Sequence, residues 1–351
     1  IKSIFTSMKK FMYFCLIFLP SCANVLAPTG GDKDLEPPRL IETEPAGSSN
    51  NFKDNTVSMV FDEQIQFSKK QKMYISPYLK NRPELSINKN KLKIKLNSAL
   101  KENTTYEIIL DEVIKDLNEG NIKNNLYYRF STGQNIDTLK ISGYTINAAN
   151  KRPLQNVWVC LYNMDNDSLL YKHTPNYITK SDASGFYSFL SLPDSSYTIF
   201  AIEDMDNNMR FTIPNEKVGF IDSLVKSNST GVDIYLFDET TIADSVTHDT
   251  PDSTITSFGK LIIDSLPDKK NLIIELLSKE KIIYRNPATY PTIIDSLRAG
   301  NYNLRIIEDT NNNGVWDSGN LLEKKQPEWV APYPKEIKIR EDWSVVIEWV
   351  N

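Results

Sequence analysis

Lys91-Leu92-Lys93-Ile94-Lys95-Leu96 alternates charged and apolar residues without a break. Side chains point to opposite faces of a β-strand with a period of two, so this segment puts its apolar groups on one face and its lysines on the other. A helix would scatter the same residues around its axis. Working outward, Val57, Met59 and Phe61 share one face of an upstream strand, and Tyr106, Ile108 and Leu110 continue the pattern downstream. Strands with one buried and one wet face belong to antiparallel sheets packed as a sandwich. Phe130-Ser131-Thr132-Gly133 closes this first unit, bounded at 39–134. Tyrosine, threonine, isoleucine and asparagine are plentiful and alanine-rich helical stretches are missing, so the whole chain reads as all-β.

A second unit is expected over 136–237 and a third over 257–351. The segment between them, 238–256, has acids, serines and threonines but no lysine or arginine, which is the composition of a linker. The two units repeat each other. Leu192, Tyr197, Ile199, Ile202, Glu203, Asp204, Asn207 and Asn208 match Leu297, Tyr302, Leu304, Ile307, Glu308, Asp309, Asn312 and Asn313 at one constant offset, which predicts a shared fold. Within the second unit Asp182, Ser184 and Gly185 predict a tight turn between two strands. At the C-terminus Trp343, Val345, Ile347 and Trp349 alternate with Ser344, Val346 and Glu348, so both tryptophans are expected in the core.

The N-terminus carries a different signal. Lys9 and Lys10 precede an apolar run from Phe11 to Leu19, followed by Pro20, Ser21 and Cys22. This is the order of a bacterial lipoprotein signal, with 1–21 removed and Cys22 acylated as the mature N-terminus. The apolar run is about half the roughly 20 residues that a transmembrane helix needs. Met8 directly precedes the lysines and is expected to be the true start. Residues 22–38 are small, polar and broken by Pro28, Gly30, Gly31, Pro37 and Pro38, as a tether would be. Of the three cysteines, Cys15 is removed and Cys22 lipidated, leaving Cys160 without a partner as an expected core thiol.

Several of these segments resemble known families. Pro37-Pro38, the strand ending in Phe61-Asp62-Glu63, the Thr105-Tyr106 strand and Phe130-Ser131-Thr132-Gly133 are similar to a bacterial Ig-like domain of the SbsA surface-layer type. Pro28-Thr29-Gly30-Gly31-Asp32-Lys33-Asp34 resembles Bacteroidota lipoproteins that carry such a domain, which implies outer-membrane attachment. Ala23, Asn24 and Val25 follow the cysteine where surface-exposed relatives often have acids, so the periplasmic and extracellular faces both stay open. Ile178 through Asp182, Gly185, Phe186, Phe189 and Leu192 to Tyr197 is similar to the regulatory-like β-sandwich appended to carboxypeptidases. That module lacks the catalytic zinc in its parent enzymes, so the resemblance implies no peptidase activity. The fold expectation is three Ig-like or prealbumin-like sandwiches in series after a lipoprotein signal.

One constellation has the residue types for chemistry. Asp309, Asn311, Asn313, Gly314 and Asp317 occupy positions one, three, five, six and nine of a calcium-loop pattern, in which alternate oxygens converge and the glycine permits a sharp turn. Asn320 stands where the bidentate acid belongs, and Glu323 would have to fold back to replace it. Asp204, Asp206 and Asn208 repeat the first three positions, with Met209 in place of glycine and Thr212 in place of the second acid. The same residues also suit tight turns that bond to their own backbone. Calcium is therefore the one cofactor the sequence suggests.

Other chemistries find little support. The net charge is −5 and no basic stripe is present, which argues against nucleic acid. The histidines are His173 and His248 alone, and no zinc-helix pair, nucleophile elbow or phosphate loop occurs. Asp62 and Glu63 read as a solvated strand end rather than as glycosidase acids. The chain is thus expected to be a non-catalytic, lipid-anchored scaffold with a protein partner, one concrete form being an accessory subunit of an envelope complex. The rival is glycan capture through Trp158, Trp316, Trp329 and Tyr333, and a glycan-active enzyme is the third reading.

Overall fold

The computed structural model describes residues 33–164, 169–206, 208–212, 215–239, 246, 257–279 and 281–349. The signal segment, Cys22, the tether through Asp32, Asn207 and, apart from Asp238, Glu239 and Val246, the segment 238–256 with His248 lie outside the described residues.

The first sandwich contains β1 (Leu40–Glu44), β2 (Thr56–Phe61), β3 (Ile65–Phe67), β4 (Lys72–Ser76), β5 (Glu84–Asn88), β6 (Lys91–Lys95), β7 (Thr105–Asp111), β8 (Ile114–Asp116), β9 (Ile122–Lys123) and β10 (Leu126–Ser131). One sheet runs β1-β2-β6-β5, the other β10-β7-β4, and β3-β8-β9 forms a small third sheet. The alternation in β6 is realised: Leu92 and Ile94 are buried, whereas Lys93 and Lys95 are exposed. Across β7 and β10 the register sets Tyr106 opposite Phe130 and Ile108 opposite Tyr128, so apolar side chains meet directly between strands. The Tyr106 and Phe130 rings stack with centroids 5.3 Å apart.

The second sandwich contains β11 (Leu139–Asn147), β12 (Trp158–Tyr162), the short helix α1 (Leu169–Lys172), β13 (Tyr177–Lys180), β14 (Phe186–Leu192), β15 (Ser196–Ile202), β16 (Val218–Phe220), β17 (Val225–Lys226), β18 (Ser229–Thr230) and β19 (Ile234–Leu236). The third contains β20 (Gly259–Ile263), β21 (Leu272–Ser278), β22 (Lys281–Pro287), β23 (Thr292–Leu297), β24 (Gly300–Glu308), β25 (Val330–Pro332), β26 (Ile337–Ile339) and β27 (Ser344–Ile347). Their topologies coincide. The order β14-β11, with β19 parallel to β11, matches β23-β20 with β27 parallel to β20. The order β13-β12-β15-β16 with β17 matches β22-β21-β24-β25 with β26. The internal sequence repeat is therefore a repeat of strand order. The Asp-Gly turn is also realised: Asp182 Oδ1 accepts from the N–H groups of Ser184 at 2.8 Å and Phe186 at 3.0 Å. Gly185 has φ +79° there, and a Cβ would stand 2.7 Å from the Thr145 carbonyl oxygen.

The sandwiches are packed together, which alternation alone did not anticipate. In β12, Val159 and Leu161 face the core of their own sandwich, while Trp158, Cys160 and Tyr162 face a second core outside it. That second core also contains Phe220 and Phe237, and from the third sandwich Ile273, Ile307, Trp316, Leu321 and Val330. The units expected to stand in series thus share one apolar core at the second joint. Polar clasps flank it: the Leu321 N–H donates to Glu239 Oε1 at 2.6 Å, and Gln326 Nε2 donates to the Phe220 carbonyl at 3.0 Å. At the first joint the two-faced rule also changes, because Glu107 and Ile109, on the outer face of β7, are buried. There Ile178 N–H donates to Ser76 Oγ at 3.2 Å and Tyr78 N–H to the Asn176 carbonyl at 3.1 Å.

Cys160 is fully buried, and burial pushes its thiol up to about 12. This agrees with a core thiol. Trp343 departs from expectation: it precedes β27 rather than lying in it and is 64% exposed, whereas Trp349 is half-buried against Tyr333. No helix among the described residues is long and apolar enough to cross a membrane.

Candidate functional site

β15 and β24 both leave their sheets into the Asp- and Asn-rich loops, and the two loops close alike. In the third sandwich Asp309 Oδ1 accepts from Asn313 N–H at 3.1 Å and Oδ2 from Gly314 N–H at 2.8 Å. Asn311 Oδ1 accepts from Asn313 N–H and Asn313 Oδ1 from Val315 N–H, both at 3.0 Å. Asn313 Nδ2 donates to Asp317 Oδ2 at 3.0 Å, and the Asn311 amide donates to the same carboxylate. Gly314 takes φ +83°, the left-handed conformation that glycine adopts without steric cost.

The second-sandwich loop repeats these bonds with different residues. Asp204 accepts from Asn208 N–H at 3.2 Å and Met209 N–H at 2.9 Å, and Asp206 Oδ1 accepts from Asn208 N–H at 3.1 Å. Asn208 Nδ2 donates to Thr212 Oγ1 at 2.8 Å, where the third loop has Asp317. Met209 sits at φ +57°, a strained position that Gly314 fills without strain. Burial raises the Asp204 carboxyl above its ordinary value, and Asp206 and Glu216 add to the shift.

Each loop is completed by a glutamate that the sequence reading missed. Glu328 Oε1 accepts from the Thr310 N–H and hydroxyl, both at 2.7 Å, and Oε2 accepts from Asp317 N–H at 3.1 Å. Glu216 does the same in the second sandwich, accepting from Met205 N–H at 3.1 Å and Thr212 N–H at 3.2 Å. Both are buried. Glu323, which would have to fold back to complete the third loop, is exposed, and its N–H donates to Asn320 Oδ1. The spacing misled because Glu328 lies far beyond position twelve. The legible signal was the pair Glu216-Lys217-Val218 and Glu328-Trp329-Val330, each leading into the return strand.

The oxygens of Asp309, Asn311, Asn313, Asp317 and Glu328 are a hard-donor set of the kind that suits calcium. In the second loop carboxylate oxygens of Asp204, Asp206 and Glu216 lie within 4.8 Å of one another. The loops also act mechanically. Phe211 and Trp316 occupy equivalent positions and both insert into the core shared by the second and third sandwiches. Trp316 Nε1 donates to the Glu328 carbonyl at 3.1 Å, tying that anchor to the glutamate.

Asp62 pairs with Arg39 at 2.8 Å, and that hydrogen bond lowers its carboxyl below the ordinary value. Glu63 lies near Asp116 and Glu119, and burial, then Asp116, raises its carboxyl. Of the aromatic residues considered for sugar stacking, Trp158 and Trp316 are buried and offer no open face near the third loop. Trp329 is half-buried beneath Lys269, whose Nζ lies 4.7 Å from its ring.

Residues 34–132, which span the first sandwich, match the family model for a bacterial Ig-like domain. Among curated proteins none matches the chain. Among solved structures, the N-terminal part of the bacterial S-layer protein SbsC is 10% identical over 57% of this chain and 43% of that one, with a TM-score of 0.20. Fervidolysin from Fervidobacterium pennivorans, a keratinolytic enzyme related to subtilisin, is 10% identical over 54% of this chain and 28% of that one, at 0.22. BcpA, the major pilin subunit of Bacillus cereus, is 13% identical over 57% and 70%, at 0.19. The chain thus spans 43% and 28% of the length of the first two structures.

Proposed function

We propose that the chain is a Bacteroidota outer-membrane lipoprotein, acylated at Cys22, whose sandwiches form a stiff non-catalytic scaffold that presents a protein-binding surface. The carrying observation is the apolar core shared by the second and third sandwiches, which gives a rigid body where independent domains would give a flexible chain. The second and third sandwiches serve as carboxypeptidase-regulatory-like spacer modules, a reading supported by their common strand order. The lipid fixes one end, the tether of 22–38 sets the height, and the loops and strand edges meet the partner. An accessory role in a larger envelope complex is the concrete form of this reading. Cross-linking in intact cells, followed by capture from detergent-solubilised membranes, tests it. A stoichiometric partner supports the scaffold; recovery of the lipoprotein alone under both conditions counts against it.

The loops motivate a second, subordinate role. With Glu216 and Glu328 included, calcium held by Asp204, Asp206 and Asn208, or by Asp309, Asn311, Asn313 and Asp317, would stiffen the joint that Phe211 and Trp316 anchor. Calorimetric titration of the full chain tests this: millimolar calcium should bind, and Glu328→Gln should weaken it. Absence of heat, or unchanged affinity in the variant, removes the idea.

A further inference from the structure

A cavity of about 590 Å³ opens at the first joint, between the β4–β5 connection and the outer face of the second sandwich. Its size lies within the range of small-ligand sites, about 300–1,000 Å³. Tyr74 and Tyr78, both only partly buried, supply aromatic walls backed by the buried Trp158, and Met209 reaches the cavity from the second-sandwich loop. Tyr74 meets Trp158 edge-on at 5.2 Å, which fixes the position of both rings.

The charged side chains that line this cavity are all cationic. Lys72, Lys80, Arg82 and Lys180 line it, and no aspartate or glutamate does. Lys72 is neutralised by Asp111 at 3.6 Å and Glu112 at 3.4 Å. Among the described residues no carboxylate forms an ion pair with Lys80, Arg82 or Lys180. Lys180 instead lies over Trp158, with Nζ 4.8 Å from the ring. Burial, and then the like charge of Lys72, hold Lys180 below its ordinary range against the opposing pull of Asp204, a penalty that an incoming anion would relieve.

We propose that this cavity binds an acidic sugar: a ring whose apolar face packs on the aromatic walls and whose carboxylate or phosphate meets Lys80, Arg82 and Lys180. Guanidinium and ammonium groups are the recognition chemistry for both anions. An extended peptide fits less well. The neighbouring strand edges already spend backbone groups on the joint, through Ile178 N–H to Ser76 Oγ and Tyr78 N–H to the Asn176 carbonyl, so strand addition has little left to use. The inference is independent of the scaffold reading.

Calorimetric titration of the full chain decides it, with trigalacturonate as the carboxylate probe, glucose 1-phosphate as the phosphate probe, maltotriose as the neutral control and a hexaglutamate peptide as the rival. One acidic sugar should bind with a stoichiometry of one, the neutral sugar should not, and the affinity should fall as salt rises. Which acidic probe binds identifies the anion. Lys180→Met and Arg82→Ala should each weaken binding about tenfold, the size of one lost charge-assisted hydrogen bond. Arg82 is exposed, so its replacement leaves the fold intact. Absence of binding by both acidic sugars, equal binding by maltotriose, tighter binding by the peptide, or an affinity that ignores both substitutions overturns the proposal.

Discussion

Trp316→Ala tests the shared core where it is most concentrated. The ring is only 7% exposed, packs with residues of both sandwiches, and donates from Nε1 to the Glu328 carbonyl at 3.1 Å. Truncating a buried tryptophan costs about 3–5 kcal/mol, including the cavity that incomplete collapse leaves behind. The orphaned Glu328 carbonyl places this site toward the upper part of that range, because an unmet buried acceptor alone costs about 1–3 kcal/mol. The loss falls on the joint rather than inside either sandwich core. The native second and third sandwiches should therefore unfold together in urea, and the variant should show the third unfolding separately from the second. Trp343→Ala is the matched control, since Trp343 is 64% exposed and its removal should change stability by less than about 0.5 kcal/mol. Equilibrium urea unfolding, followed by circular dichroism and tryptophan fluorescence, reads both quantities. Equal destabilisation by the two substitutions, or separate unfolding of the two sandwiches in the native chain, refutes the reasoning.

Other perturbations probe distinct parts of the account. Glu275 is fully buried between Arg285, 2.6 Å away, and Arg305, so Glu275→Ala leaves two guanidinium groups uncompensated and should cost about 3–5 kcal/mol by urea unfolding. Burial acts to raise the Asp116 carboxyl, but the N–H groups of Gly120, Asn121 and Glu119 outweigh it and hold the carboxyl below its ordinary value. A depressed carboxylate stabilises above its unfolded value and loses that contribution as pH falls through the folded one. Stability measured from pH about 5 to about 2 should therefore drop less steeply in Asp116→Asn than in the native chain. Cys160, buried with its thiol at about 12, should resist alkylation in native buffer and react once urea unfolds the chain; rapid native labelling would contradict its placement.

Much of the fold was legible because period-two alternation reports directly on a one-sided strand. β6 follows the rule, with Leu92 and Ile94 inside and Lys93 and Lys95 outside. The joints were not legible, since a strand buried on both faces reads only as a continuous apolar run. Trp158 to Tyr162 is such a run, and no residue within it says that its second face meets Ile273 and Trp316 from beyond the linker. The loops were half legible. Asp309, Asn311, Asn313 and Asp317 were found by spacing, because their bonds are local. Glu328 was missed because the chain between it and Asp317 makes an excursion that a fixed-spacing pattern cannot follow. Trp343 fits the alternation but precedes the strand, where parity no longer dictates burial.

Membrane attachment through one sulfur atom is the premise of the scaffold reading, and mass spectrometry of the protein extracted from its native membrane tests it directly. The account predicts that the mature chain begins at Cys22 and carries diacylglycerol in thioether linkage. An N-terminal peptide that retains the residues before Cys22, or that bears no acyl mass, would contradict it.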